Sequence, residues 1–317
     1  MLVSVVVCTY SEERYDIFSE CVESILGQTY EPIELVIIVD GNDTVFERVT
    51  RDFGDVDDLV ANLIIYNNDQ NRGISYSRTK GAELGGGEIV AFIDDDGVAE
   101  PDWIEEHIAM YEATSAIAVA GEVAPDWIHG APKFFPEEFY WLVGCTEPGF
   151  AEHGAEIRNG YGSNVSYQRE KFLEIGGYDA NTGRKGDRHI QAHEAPAGIR
   201  LQRHFGKGVI YTADSVVNHR LFHYRGRFKW LVFRSFWQGF SKRVMEVLYP
   251  GAQGNERQYL KDIFFDRVPT RIGALFRSPS GAQIQQLITI FVFTGAVGLG
   301  YLYGLTRGKN TLLREVD

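Results

Sequence analysis

The stretch Ile89–Asp96, which reads IVAFIDDD, places three consecutive aspartates directly after a run of apolar residues. Glycines 85–87 precede the run and Gly97 follows it, and a short apolar run bounded in this way is typical of a buried parallel strand. Adjacent carboxylates at the end of a buried strand repel one another, and a bound cation relieves that repulsion. Because carboxylate oxygens suit hard cations, the pattern favours Mg2+ or Mn2+. The alternative is a solvated acidic turn that begins the helix after Pro101.

Between residues 2 and 96, continuous apolar runs alternate with segments whose apolar residues recur at helical spacing. Continuous apolar runs predict buried strands, and the segments between them carry apolar residues at helical spacing, as in Ile17–Leu26 and Ser75–Leu84. This alternation predicts an α/β fold with a doubly wound, mostly parallel sheet flanked by helices. Ligands of such sheets bind outside the carboxyl ends of the strands, where the aspartates fall. The predicted strands are Leu2–Cys8, Ile33–Val39, Leu63–Tyr66 and the run that leads into the aspartates.

The sequence after the aspartates is less regular. Trp103–Tyr111 is predicted to be helical, Ala116–Gly121 to be a strand, and Val209–Thr212 to be a last short strand. Residues 125–160 are rich in Pro, Gly and aromatic residues and are predicted to form a loop. The aromatic side chains in this segment form either a small core beneath the loop or a wall for a sugar or lipid acceptor.

Composition restricts the partners that the protein can have. A chain of 317 residues, 44% of them hydrophobic, can bury a large core. Its net charge of -13 argues against nonspecific nucleic-acid binding, although local groups of Arg and Lys can still receive anionic ligands. Cys8, Cys21 and Cys145 are too far apart for a CxxC metal site and are predicted to be buried thiols. No basic leader precedes the first strand, so we predict no signal peptide and a cytoplasmic catalytic domain.

Four motifs within the first 220 residues carry a resemblance to a known family. Their order and spacing resemble the nucleotide-sugar-binding half of the family 2 glycosyltransferases, which have the GT-A fold. The resemblance implies an inverting, metal-dependent transfer of a sugar from a nucleotide diphosphate to a hydroxyl group. The motifs are VVVCTYSEER at residues 5–14, VDGND at 39–43, NRGISYSRTKGAELGGGEIVAFIDDDG at 71–97 and GSNVSYQREKFLEIGGYD at 162–179.

The resemblance also implies roles for individual residues. Mn2+ or Mg2+ would bridge the diphosphate to Asp96, with Asp94 and His219 as further ligands, although a lone histidine is also an ordinary structural residue. Asp94 would face the ribose or orient the metal, and Asp95 would face the donor sugar. The predicted nucleotide-binding residues are Thr9, Tyr10, Glu12, Asp40, Asn71, Gly73, Arg78, Asp94 and Asp95.

Glu194 is the predicted catalytic base. Relatives usually carry Gly-Glu-Asp or Gly-Glu-Glu at this place, whereas this chain reads Ala192-His193-Glu194. By position Glu194 matches the second acid, and His193 replaces the first. A glutamate at a helix start is the alternative interpretation. Inversion requires no enzyme nucleophile, and the sequence shows no nucleophile elbow or Cys-His arrangement that would supply one.

The donor and the acceptor are inferred from the same resemblance. Uracil is the commonest base in such pockets, so a UDP-sugar is expected. An acidic donor such as a uronic acid would suit the basic residues Arg158, Arg184, Lys185 and Arg188. With a membrane-like tail, the chain resembles archaeal enzymes that extend dolichyl-phosphate-linked or polyprenyl-phosphate-linked saccharides for protein N-glycosylation, such as a glucuronosyltransferase.

Two other functions were weighed against this one. A processive polysaccharide synthase is disfavoured, because no QxxRW-type motif follows Glu194. A non-catalytic protein that binds a sugar nucleotide is supported only by the exchange at His193.

The last ninety residues predict a membrane-associating helical region, 226–317, after a glycosyltransferase domain at 1–225. Arg227–Tyr249 combines basic and aromatic residues, which fits a helix lying at a membrane interface or one packed on the catalytic domain. Leu287–Leu305 contains no charged residue and is long enough to span a bilayer, although a core helix is the alternative.

The charges after the C-terminal apolar segment conflict with the topology that a simple single span would require. Arg307 and Lys309 follow the apolar segment and favour a cytoplasmic C-terminus. The catalytic domain at the cell membrane is also expected to face the cytoplasm, and one span cannot place both ends on the same side. The segment is therefore re-entrant, or a second partial segment exists, or the short tail crosses the membrane despite its charge.

Overall fold

The computed structural model describes residues 1–56, 60–179, 194–251 and 256–307. These residues form two compact units. The first unit contains residues 1–126, 149–179 and 194–220 apart from 57–59, and the second contains the remaining described residues. The proposed domain boundary between residues 225 and 226 stays a prediction.

Four parallel strands form one half of the sheet in the first unit, in the order β3-β2-β1-β4. All four match the strands predicted from the apolar runs. Every residue of the strands Val3–Thr9 and Ile33–Val39 is buried, as expected for parallel strands covered on both faces. The strands are β1 (Val3–Thr9), β2 (Ile33–Val39), β3 (Asn62–Asn67) and β4 (Ile89–Asp94).

Antiparallel strands continue the sheet beyond β4, in the order β8-β6-β9-β5, and a further short strand, β7, pairs with β9. Two expectations were wrong here. The strand predicted at Val209–Thr212 continues to Leu221, because polar side chains alternate with buried ones in its second half and hide the apolar signal. The predicted loop 125–160 contains the end of one strand and the whole of another. The strands are β5 (Gly97–Ala99), β6 (Ala118–Trp127), β7 (Glu156–Ile157), β8 (Val165–Gln168) and β9 (Val209–Leu221).

Helices cover both faces of this sheet, which confirms the doubly wound α/β prediction. One face packs against α1, α2 and α4, with Phe18, Val45 and Trp103 fully buried in its core. The other face packs against α3, α5 and α6, where Ala82 and Phe172 are fully buried. The helices of the first unit are α1 (Tyr15–Leu26), α2 (Asp43–Phe53), α3 (Ile74–Leu84), α4 (Trp103–Ala113), α5 (Arg169–Glu174) and α6 (Glu194–Phe205).

The second unit is helical, and its two longest helices, α7 and α10, lie side by side. Gly239 of α7 packs against the backbone of Val297, and Gly300 of α10 packs against the backbone of Phe236. The two helix backbones therefore approach closely. Helix α10 is, by length and composition, the one helix of the described residues long and apolar enough to cross a membrane. The elements are a 3-10 helix at Glu137–Val143, α7 (Phe228–Leu248), α8 (Glu256–Asp262), a π-helical turn at Ile263–Arg267, α9 (Val268–Arg277) and α10 (Gly281–Thr306).

A buried polar network connects α4 to β8 and to Asn164, the residue before that strand. The ring nitrogens of His107 lie 2.8 Å from Ser166 Oγ and 2.8 Å from Asn164 Oδ1. Trp103 Nε1 donates to the same Asn164 oxygen at 2.8 Å. Burial lowers the pKa of His107 from 6.5 to about 4, so the ring is neutral in the folded protein at neutral pH.

The low pKa of His107 predicts a loss of stability in mild acid. The unfolded chain binds a proton at this ring near pH 6.5, whereas the folded chain resists it until about pH 4. The free energy of unfolding should therefore fall by about 3 kcal/mol as the pH decreases through that window. Urea unfolding across pH would measure this for the wild type, for His107→Gln and for the control His129→Gln. If the free energy of unfolding of His107→Gln falls over the same pH range as that of the wild type, the effect does not come from His107.

Candidate active site

The three aspartates lie at the carboxyl end of β4, beside the end of β1. The parallel register places Cys8 opposite Asp94, and Thr9 Oγ1 donates to Asp95 Oδ2 at 3.4 Å. Burial increases along the motif, since the side chain of Asp94 is 33% exposed and that of Asp96 only 4%. Carboxylates this close and this buried need neighbouring positive charge or hydrogen-bond partners, and three side chains lie against them.

Arg78 supplies the first positive charge. Its side chain is buried, and its Nη2 donates to Asp94 Oδ1. Burial by itself would lower the pKa of Arg78, but the negative charges of Asp94 and Glu194 help to outweigh burial and hold that pKa above its ordinary value. Within the described part of the chain, Nε and Nη1 of Arg78 have no hydrogen-bond partner. Both nitrogens are buried, and leaving them unsatisfied is costly unless a ligand or a water molecule reaches them.

Arg14 supplies the second positive charge, and the sequence analysis did not assign it a role. Its Nη1 lies 3.7 Å from Asp95 Oδ1 and 3.6 Å from Asp96 Oδ2. The signal was present, because Arg14 ends the motif VVVCTYSEER and follows the strand beside the aspartates. A flexible, partly exposed arginine between two carboxylates can also turn toward an anionic ligand.

His219 also lies against Asp96. Its Nε2 lies 3.2 Å from Asp96 Oδ1, and both side chains are buried. The strand predicted at Val209–Thr212 left His219 beyond the strand end, which is wrong: His219 lies inside β9, where antiparallel pairing sets it opposite Gly97. The adjacent Arg220 N–H donates to the Asp96 carbonyl at 2.7 Å, which fixes the register of this contact.

Asp96 and His219 form a donor set that fits a divalent cation. Neighbouring ligands of an octahedral ion lie about 3 Å apart when each bond is about 2.1 Å, close to the 3.2 Å between the two side-chain atoms. The described residues contain no group of three or more His, Cys, Asp or Glu side chains in metal-binding geometry. Two protein ligands suffice for an ion that is also bound by substrate phosphates.

Asp40 shapes the loop that leads into α3. It accepts hydrogen bonds from Asn68 Nδ2 at 2.7 Å and from the backbone N–H groups of Arg72 and Gly73 at 2.9 and 2.8 Å. Gly73 adopts a φ of +87°, a conformation that favours glycine. Asp40 and Gly73 thus set where α3 begins, and α3 carries Arg78.

The remaining predicted nucleotide-binding residues lie on exposed turns in the same unit. Tyr10 is 55% exposed, and its carbonyl accepts a hydrogen bond from Asn42 Nδ2 at 2.9 Å. Glu12 and Asn71 are also exposed, the first in a short 3-10 helix after β1 and the second in the loop before α3. Their contacts with a nucleotide stay predictions.

Glu194 begins α6 and belongs to the same cluster. Its Oε1 accepts the N–H of Gly162 at 3.3 Å. Gly162 also lies against Arg78, because a Cβ added to this glycine would lie 2.3 Å from Arg78 Nη1. The structure thereby links Glu194 through Gly162 to the arginine that binds Asp94. His193, Arg184, Lys185 and Arg188 lie outside the described residues, whereas Arg158 Nε donates to Asn159 Oδ1 at 2.9 Å.

Comparison with known proteins assigns this arrangement to a family. The profile of Glycosyl transferase family 2 matches residues 4–176, and the chain belongs to that family. Over 306 residues the chain is 63% identical to the glucosyl-dolichyl phosphate glucuronosyltransferase of Haloferax volcanii, and the alignment covers 96% of each protein. The prediction of a family 2 glycosyltransferase is confirmed.

Solved structures confirm the predicted fold. The mannosyltransferase PcManGT from Pyrobaculum calidifontis, in complex with GDP-Man and Mn2+, has a TM-score of 0.58 at 16% identity, over 99% of this chain and 85% of that one. TarS of S. aureus in complex with UDP-GlcNAc has a TM-score of 0.55 at 13% identity, over 100% and 90% of the two chains.

The contact between Gly162 and Arg78 predicts the effect of a single added methyl group. In Gly162→Ala the new Cβ would overlap the guanidinium, so the free energy of unfolding should fall by about 1–3 kcal/mol. Gly273→Ala is the control, since in the described structure no heavy atom outside its own stretch of helix lies within 4 Å of its added Cβ. Chemical denaturation measures both variants. Equal stability of Gly162→Ala and the control would contradict the tight packing described here.

Proposed function

We propose that the protein is an inverting, metal-dependent glucuronosyltransferase that uses a UDP-activated donor and glucosyl-dolichyl phosphate as the acceptor. The observation that carries the proposal is the 63% identity, over 96% of both chains, to the Haloferax volcanii enzyme of that name. The carboxylate cluster of the first unit supplies the chemistry that such a reaction needs.

Asp96 and His219 are the residues that would hold a divalent cation. When bound, the cation would supply Lewis-acid stabilisation of the diphosphate charge that grows as the donor bond breaks. Support comes from the 3.2 Å separation of the two donor atoms and from their burial. The Mn2+ in the similarly folded mannosyltransferase complex is consistent with this choice of ion.

The arginines of the cluster would bind the donor phosphates. Among the described residues, Nε and Nη1 of Arg78 are buried without a hydrogen-bond partner, and Arg14 lies beside Asp95 and Asp96. Arginine binds phosphate oxygens with charge-assisted hydrogen bonds. These two residues would offset the negative charge that a nucleotide diphosphate brings to an acidic site.

Glu194 would act as the general base. The acceptor hydroxyl oxygen attacks the anomeric carbon, its proton passes to Glu194, and the bond between that carbon and the diphosphate oxygen breaks to release UDP. One bond forms as one breaks, so the configuration inverts without a covalent intermediate. The Gly162 N–H at 3.3 Å holds the carboxylate in place.

The lipid-linked acceptor implies association with a membrane. The apolar helix α10 fits that location, and a catalytic unit facing the cytoplasm would meet the nucleotide sugar there. Four basic residues were inferred to suit a uronic acid donor. Arg158 is the one among them that the structure describes, and it lies in the first unit with Glu194.

The reaction is tested with the full-length protein in detergent. We expect UDP-glucuronic acid and glucosyl-dolichyl phosphate, with Mn2+, to give UDP and a lipid product one glucuronosyl residue heavier by mass spectrometry. UDP-glucose and UDP-N-acetylglucosamine are the matched donor controls. UDP release with those donors and none with UDP-glucuronic acid would overturn the assigned sugar.

The proposed base predicts a selective kinetic defect. Glu194→Gln should lower kcat by about 10²- to 10⁴-fold with little change in the KM for the donor, because the base acts on the acceptor proton. Glu170→Gln, on the exposed side of α5, is the matched control and should keep wild-type activity. Wild-type kcat in Glu194→Gln would exclude this residue as the base.

The proposed cation site predicts a binding defect that needs no turnover. Titration calorimetry of Mn2+ in the presence of UDP should show at least about tenfold weaker binding for Asp96→Asn and for His219→Ala. Asp102→Asn, an exposed aspartate before α4, should bind as the wild type does. Unchanged Mn2+ affinity in both site variants would place the ion elsewhere.

A further inference from the structure

We propose that the second unit lies in the plane of a membrane interface, with one face of α10 immersed among lipid chains, and that α10 does not cross the bilayer. The lipid surface is the partner, and the binding element is an apolar stripe on α10. Lipid binding by α10 does not depend on the proposed reaction, and the tests below measure membrane depth, vesicle binding and sedimentation rather than enzymatic activity.

The stripe is built from large apolar side chains that recur at helical spacing. Its members are each 46–63% exposed, whereas the interleaved Thr289, Ile290 and Phe293 are buried. Phe291 of the stripe also touches Phe264, with ring centroids 5.9 Å apart. A continuous exposed apolar face of this kind marks a surface that a membrane or a partner covers. The stripe consists of Ile284, Ile288, Phe291, Leu299, Leu302 and Leu305.

The opposite face of α10 is already occupied by α7. Added Cβ atoms at Gly239 and Gly300 would lie within 2 Å of backbone carbonyl oxygens of the partner helix. Phe293 packs against Phe228, and Tyr303 packs against Phe236, so the two helices run in the same direction. Within the described residues, the exposed stripe is therefore the apolar face of α10 that α7 leaves open to lipid.

Charged groups line the α7 side at two levels of α10. Arg271 binds Glu138 at 2.6 and 2.7 Å and Gln286 of α10 at 2.7 Å. Fifteen residues further along α10, Tyr301 donates to Glu246 at 2.7 Å, and Arg243 donates to the same oxygen at 3.0 Å.

A span would carry some of these charges into the hydrocarbon. A bilayer core requires about 20 residues of helix, and any such window of Gly281–Thr306 contains residue 286, residue 301 or both. Charged side chains at that depth are costly. Lying in the plane avoids the cost, because the apolar stripe enters the lipid while the charged pairs stay on the other side of the helix.

The charge of the second unit suits an anionic lipid surface. Its described residues include 13 Lys and Arg against 7 Asp and Glu, a net charge of +6, although the whole chain carries -13. Basic residues near an anionic leaflet are attracted to it. An in-plane α10 also removes the topological conflict of the sequence analysis, since both ends of the chain can then lie on the cytoplasmic side.

The depth of α10 in the membrane tests the proposal directly. The full-length protein is bound to vesicles of equal parts phosphatidylcholine and phosphatidylglycerol, with a fluorescent label on one introduced cysteine at a time. Quenching by lipids with quenchers at known depths then measures how deep each label lies. The native cysteines are buried. The labelled variants are Ile284→Cys, Phe291→Cys, Leu299→Cys and Leu305→Cys.

We expect the four labels to share one shallow depth. A spanning helix would instead spread them over about 30 Å along the membrane normal, with the deepest near the middle of the stripe, and that profile would overturn the proposal. Leu299→Glu should weaken binding to the same vesicles at least about tenfold, whereas Gln285→Glu, an exposed polar position with the same added charge, should not. Equal losses in both variants would contradict a role for the stripe.

A second copy of the chain is the competing occupant of the stripe. If it covered the stripe, the protein would form a dimer in solution that Leu299→Glu dissociates, and it would fail to bind vesicles. Sedimentation in the presence and absence of vesicles distinguishes this result, which would overturn the proposal, from lipid binding by a monomer, which supports it.

Discussion

Electrostatic repulsion among the carboxylates at the end of β4 is the constraint on which the first unit depends. The strand delivers three acidic side chains in succession, and the last of them is almost fully buried. Burying a carboxylate without compensation is costly. Arg78 and Arg14 provide positive charge and His219 provides a neighbouring ring nitrogen, from three separate elements.

The two halves of the sheet contribute different parts of this compensation. The parallel half brings Arg78, because Asp40 orders the loop before α3 through backbone N–H groups. The antiparallel half brings His219, because β5 and β9 pair directly after the aspartates. An acidic cluster that is balanced in this way can exchange one positive partner for another. That property suits a site that binds a cation together with a phosphate anion and later releases both.

The parallel strands and the position of the aspartates were predictable, because long apolar runs bounded by glycines are typical of buried strands. The length of β9 was not, since alternation with Asn218 and Arg220 removes the apolar run that marks a buried strand. Arg14 was missed because a lone arginine after an acidic turn resembles a solvated surface residue. Its place at the end of a family motif was a signal, but the contact with Asp96 became evident only in the tertiary fold. The role of α10 likewise required knowing which of its faces α7 covers.

The most direct test of this account is a crystal structure of the protein with UDP and Mn2+, using anomalous scattering to locate the ion. The account predicts a single manganese bound to a carboxylate oxygen of Asp96 and to Nε2 of His219, at about 2.2 Å from each, with diphosphate oxygens completing its shell. A manganese ion bound to the diphosphate but distant from Asp96 and His219 would contradict it.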